Sequence, residues 1–137
     1  MSQTTITING NQYDLKVTFK FLSAFGIVKN DFENNIEAMG NIVMGIVGGD
    51  PYALVKALSA MSGKDEETVK SDVENAEADD LDQAFEAVEN LLVTSPLTKT
   101  TVSKIIKPIK DTFDNMDKKM EEAMAGKSLP VSSNTPA

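Results

Sequence analysis

Apolar residues fall every second position near the start of the chain and every third or fourth position afterwards. Ile6 and Ile8 alternate with Thr, and Tyr13, Leu15 and Val17 alternate with Asp14 and Lys16, the period of half-buried strands. Asn9-Gly10 lies between the two runs and supplies residues that tolerate positive φ, so a β-hairpin is expected. A four-residue loop over 9–12 would set Ile8 opposite Tyr13, Ile6 opposite Leu15 and Thr4 opposite Val17. A two-residue turn would set Ile8 opposite the polar Asn11. Cross-strand apolar pairs stabilise register, and the longer loop is therefore the expectation. A lone hairpin is marginal in water, so its apolar face must lie on helices.

Helical spacing follows directly. Thr18 is placed to cap a short helix carrying Phe19, Leu22 and Phe25, with Gly26 near its end. The segment 36–47, IEAMGNIVMGIV, is apolar nearly all round and reads as a central core helix, too short to span a bilayer. Gly40 and Gly45 on it would let a neighbouring backbone approach. Asp50-Pro51 restarts the chain as N-cap and first helical residue, and Tyr52, Leu54, Val55, Leu58 and Met61 form one side of the next helix. Residues 64–78, with little apolar besides Val69 and Val73, read as a weak surface helix.

The clearest stripe comes next. After Asp79-Asp80, the residues Leu81, Ala84, Phe85, Val88, Leu91 and Leu92 follow the core-facing template. Ser95-Pro96 opens the last helix, striped by Val102, Ile105, Ile106, Ile109, Phe113, Met116 and Met120. Pro108 should bend or interrupt that helix, giving two segments. From 125 onward the chain has little to bury and reads as a disordered tail. The expected fold is α+β and predominantly α-helical. An N-terminal hairpin packs on a bundle of roughly five or six helices, in one domain over 1–124 with a tail over 125–137.

Composition narrows the chemistry. Among 137 residues there is no Cys, His or Trp, and all thirteen basic residues are Lys. Thiolate nucleophiles, imidazole bases and the usual zinc ligands are thereby lost. The missing Arg forks and the net charge of −8 argue against specific nucleic-acid binding. No basic start with an apolar run marks a secretory signal, and no apolar stretch reaches the roughly 20 residues of a membrane span. A cytoplasmic protein with no cofactor, no metal and no catalytic residues is expected.

Charge is segregated. Residues 64–90 hold eleven acids and two Lys, 97–127 hold seven Lys and five acids, and 1–63 hold four Lys and five acids. Asp79, Asp80 and Asp82 could gather a hard cation, but they lack the ligand alternation of an EF-hand loop, and capping plus a solvated acidic face is the plainer reading. Glu74, Glu77 and Asp79 as a hydrolase pair would need a buried, asymmetric pocket, which so polar a segment does not promise. Met116, Met120 and Met124 recur every four residues where the helix turns polar. Met suits surfaces that adapt to varied apolar partners. This face, with Ile109 and Phe113, either packs on the core, merely frays, or binds a partner.

The run ITINGNQYDLKVTFKFLSAF, the apolar Gly-containing helix, the GDPYALVKAL restart and the acidic helix LDQAFEAVENLL, in that order, resemble the tail assembly chaperones of long-tailed bacteriophages of Gram-positive hosts, over roughly residues 4–107. The resemblance implies a non-catalytic protein of virion morphogenesis that acts in the host cytoplasm and is not part of the mature virion. Its implied partners are the tape measure protein, which it keeps soluble, and the tail tube protein, which it helps to recruit. In many phages a frameshift appends a second domain, and here the products would diverge after Lys127. The Thr4–Phe25 region is then a cap on the core, and the working surface is Ile109, Phe113, Met116, Met120 and Met124. Self-association through the hairpin edges at 4–8 or 13–17 is a further expectation. The competing reading, from the acidic 64–90 segment, is a DNA mimic that inhibits a nuclease or DNA-binding protein, and an enzyme ranks last.

Overall fold

In this computed structural model the described residues are 3–29 and 31–125, with side chains described for 4–29 and 31–121. The chain begins with two antiparallel strands, β1 (Gln3–Ile8) and β2 (Asn11–Lys16). The register pairs Ile8 with Asn11, Ile6 with Tyr13 and Thr4 with Leu15, so the turn is the two-residue Asn9-Gly10 and the expected four-residue loop is wrong. Both turn residues have positive φ, 54° at Asn9 and 78° at Gly10, a twist that matches the flanking strands. Asn11, which made this register look unfavourable, finds a carboxylate partner on a helix. Ile8, Tyr13, Leu15 and Val17 are buried, while Thr5 and Gln12 hydrogen-bond to Asp14 on the outer side.

Six helices follow among the described residues: α1 (Phe19–Ala24), α2 (Phe32–Val47), α3 (Pro51–Ser62), α4 (Glu66–Glu74), α5 (Ala78–Thr94) and α6 (Lys99–Ala125). The fold is α+β and predominantly helical, as the spacing predicts. Thr18 caps α1 through its side chain, which accepts from the Phe21 N–H. The face of α1 differs from expectation. Phe21 and Leu22 are buried, Phe19 is 73% exposed, and Phe21 stacks on Phe25 with ring centroids 5.0 Å apart.

Helix α2 starts earlier than the apolar run because Asp31 caps it, accepting from the Asn34 N–H. It is not buried all round. Met39, Ile42, Val43 and Ile46 face the core, whereas Ile36 and Met44 remain exposed. Of its two glycines only Gly45 is needed for close packing: a Cβ there would stand 2.6 Å from the Cβ of Ala53, while one at Gly40 would meet nothing within 4 Å. The axes of α2 and α3 differ by 114°, and no single helix among the described residues is long and apolar enough to cross a membrane.

Helix α3 is the hub, touching β2, α1, α2, α4 and α5. Asp50 caps it by accepting from the Tyr52 N–H, Pro51 occupies the first turn, and Gly63 ends it in the left-handed conformation. Leu54, Val55, Ala57, Leu58 and Met61 are buried, but Tyr52 is 79% exposed and leaves the expected stripe. Helix α4 is shorter than the expected 64–78; α5 buries Ala84, Val88, Leu91 and Leu92, and β1 lies against it. Before α6 the Thr98 hydroxyl donates to the Leu92 carbonyl at 2.6 Å, closing a buried polar corner with Ser95.

Helix α6 runs unbroken through Pro108, so the expected division into two helical segments does not occur. By internal packing the chain forms two compact units, Met1–Ile106 and Lys107–Ala137, divided just ahead of that proline. The tail expected from 125 lies, from 126 onward, outside the described residues.

Candidate functional site

A helix advances 100° per residue, so steps of four, three and four keep Ile109, Phe113, Met116 and Met120 within one narrow arc of α6. Ile109 and Phe113 are half-buried. Met116 is 51% and Met120 61% exposed, which leaves two large, flexible apolar side chains in solvent. The Met124 side chain lies outside the described residues. The rest of the circumference is charged, with Lys107 and Asp111 paired at 3.4 Å four residues apart, a surface contact of small energetic weight.

Other exposed apolar groups were not foreseen. Phe32, at 73%, stands with Val28, Ile36 and Leu97 beside Phe19. They line two adjoining clefts that share Leu22, Ile27 and Asn35. Asn35 fixes the loop there, donating to the Val28 carbonyl and accepting from the Val28 N–H. Tyr52 is exposed for a legible reason. At 100° per residue it lies about 120–180° from Leu58 and Met61 around α3, on the side away from the core.

A buried charged group lies at Asp72. The segment that carries it reads as a weak surface helix, yet Val69 is fully buried and Asp72 is only 5% exposed. Asp72 accepts from the Tyr13 hydroxyl at 2.6 Å, from Asn11 Nδ2 at 2.8 Å and from Asn9 Nδ2 at 3.4 Å. Three side chains of the hairpin therefore converge on one carboxylate of α4. Burial pushes the Asp72 carboxyl up, but the hydrogen bonds from Tyr13, Asn11 and Asn9, with the Lys64 ammonium, outweigh it and hold the group below its ordinary 3.8. Burial and the same carboxylate push the Tyr13 hydroxyl well above its ordinary 10.0, and Lys64 Nζ sits 4.3 Å from the Tyr13 ring centroid. The carboxylate accepts three hydrogen bonds, all from the hairpin. It fastens the hairpin to α4.

The remaining acids are divided among separate tasks. Asp65 caps α4, accepting from the Thr68 N–H and hydroxyl, and those bonds lower its pKa. Asp79 and Asp80 occupy the first turn of α5, where negative charge suits the helix N-terminus. Among the described residues no three acids are gathered so that they could hold a metal ion. Of the eleven acids in 64–90, Asp72 is buried and Asp65 is held in a cap.

Two kinds of surface thus stand out: the apolar stripe of α6, and clefts with exposed aromatics on the unit that precedes it. No curated protein and no solved structure matches the chain significantly. The family model described as phage tail assembly chaperone protein, TAC, matches residues 5–107, three quarters of the chain and nearly the whole of the first compact unit. The chain belongs to the phage tail assembly chaperone family.

Proposed function

We propose that this protein binds the tape measure protein, keeps it soluble and helps to recruit tail tube subunits during tail assembly in the host cytoplasm, without entering the finished virion. The reading rests on family membership together with one observation, the exposure of Met116 and Met120 on an otherwise charged helix. An apolar stripe of flexible thioether side chains adapts to partners of varied shape, and the high net negative charge keeps such a surface soluble. Ile109, Phe113, Met116, Met120 and Met124 form the partner face. The binding work requires no covalent chemistry, so no catalytic residues are assigned.

Co-expression tests this directly. The tape measure protein is expressed alone, with the wild-type chain, and with the Met116→Asp/Met120→Asp variant. The soluble fraction should rise with the wild type and fall back with the variant. No rise with the wild type would refute the function, and an equal rise with the variant would move the site elsewhere.

A further inference from the structure

Helices α3 and α4 leave an open cleft between them of about 520 Å³. Its apolar lining is Pro51, Val55 and Val73, with the exposed Tyr52 beside them. Its rim is acidic. Glu67 and Glu74 line it, and Asp50 adjoins Pro51 at the end of α3. The cleft has one cation, Lys70, which is paired with Glu67 at 3.5 Å. The Glu74 carboxylate has no partner among the described residues.

We propose that this cleft binds an amphipathic helix of a partner protein, one that presents an apolar ridge flanked by Lys or Arg. It is a contact surface separate from the α6 stripe, and it rests on the reading of the protein as a chaperone that holds other proteins. Two observations select this occupant. Charge complementarity selects the flanks: Glu67 and Glu74 line the cleft against the single Lys70, which is paired with Glu67, and Asp50 stands beside Pro51, so the rim favours cations over an acidic peptide or a nucleic acid. The exposed Tyr52 adds a face for a Lys or Arg head. The walls select the conformation. Both are helices whose backbone groups are bonded within themselves, so no free edge exists for an extended strand to pair with. A partner must bring its own satisfied backbone, and a helix laid in a groove does so.

The test uses the full chain and a synthetic peptide of about 18 residues, roughly five helical turns, with Leu at i, i+3, i+4 and i+7 and Lys on both flanks. A counterpart replaces every Lys by Glu. Fluorescence anisotropy should show the Lys peptide binding the wild type, more weakly as salt rises, and the Glu peptide binding at least about tenfold more weakly. Tyr52→Ala and Glu74→Lys, both at exposed positions, should each weaken the Lys peptide about tenfold. Glu33→Lys, the same charge change on α2 away from the cleft, should leave it unchanged. Failure of the wild type to bind, equal binding of the two peptides, or wild-type affinity in both cleft variants would overturn the assignment. These results are independent of tape measure rescue. Rescue without peptide binding would remove the cleft and keep the chaperone reading, and peptide binding without rescue would do the opposite.

Discussion

Helices α5 and α6 carry apolar stripes of the same period and meet different fates. In α5 the stripe is covered, with Ala84 and Val88 fully buried and Leu91 and Leu92 nearly so. In α6 Val102 is fully buried, Ile105, Ile106, Ile109 and Phe113 are half-buried, and Met116 and Met120 are exposed. Burial fades along one helix while the period stays constant. Spacing of three and four therefore says that a helix has an apolar side, and does not say what covers it. Composition separates the two cases better. Residues 107–122 of α6 carry nine charges around the stripe, against five over the whole of α5, and the exposed end uses Met where the buried helix uses Leu and Val.

The comparison breaks first at Val88. If the α5 stripe is core, Val88→Asp buries an unpaired charge and should cost about 3–5 kcal/mol, a large share of the roughly 5–15 kcal/mol that holds a domain together. Thermal unfolding followed by circular dichroism should shift down by more than about 10 °C, or the protein should fail to fold. A variant melting within a few degrees of wild type would show that α5 is no better covered than the end of α6.

A smaller effect is expected where the cover is polar. Asp72→Ala strands the Tyr13 hydroxyl in the core, and an unsatisfied buried donor costs about 1–3 kcal/mol. Asn9 and Asn11 are exposed and can turn to water, so the total should stay near the middle of that range. The pH dependence has two limbs. The Asp72 pKa is lowered in the fold, so its contribution is present above 3.8 and fades as pH falls through the lowered value. The Tyr13 pKa is raised, so its contribution holds below 10.0 and is lost as pH climbs towards the raised value. Urea unfolding across pH should show Asp72→Ala with a shallower acid limb than wild type. An acid limb of unchanged slope would assign acid sensitivity to Asp14 and Asp65, whose values are also lowered.

Those two sites also show what the sequence could and could not disclose. The α5 stripe, the Asp50-Pro51 restart and the Thr18 cap are local signals, because the partner lies within one or two turns, and each was legible. The Asp72 joint links residues about sixty positions apart. Nothing in EETVKSDVE marks one acid among several as buried, and without that carboxylate the Asn11 register looks wrong. The hairpin error and the α4 error are thus one error, a missing long-range polar contact. Tyr52 is set apart by its angle around α3, which its apolar character alone does not convey. Pro108 misled for a different reason. It removes the donor that would serve the Lys104 carbonyl, which a helix can tolerate where that turn faces solvent, and both Lys104 and Pro108 are exposed.

The smallest effect should come from the end of α6, and its smallness is informative. Met116→Gln/Met120→Gln keeps two straight-chain residues of similar helix propensity and removes only the apolar character of the stripe. If Met116 and Met120 pack on nothing within the chain, unfolding free energy should change by less than about 0.5 kcal/mol, as for ordinary surface positions. The same double variant should lower the soluble yield of a co-expressed tape measure protein. Stability and partner binding would then be carried by different stripes of the same period, one on α5 and one on α6. A loss of 2 kcal/mol or more, roughly what truncating a core side chain costs, would instead make the Met stripe part of the protein's own packing and remove it as a partner face.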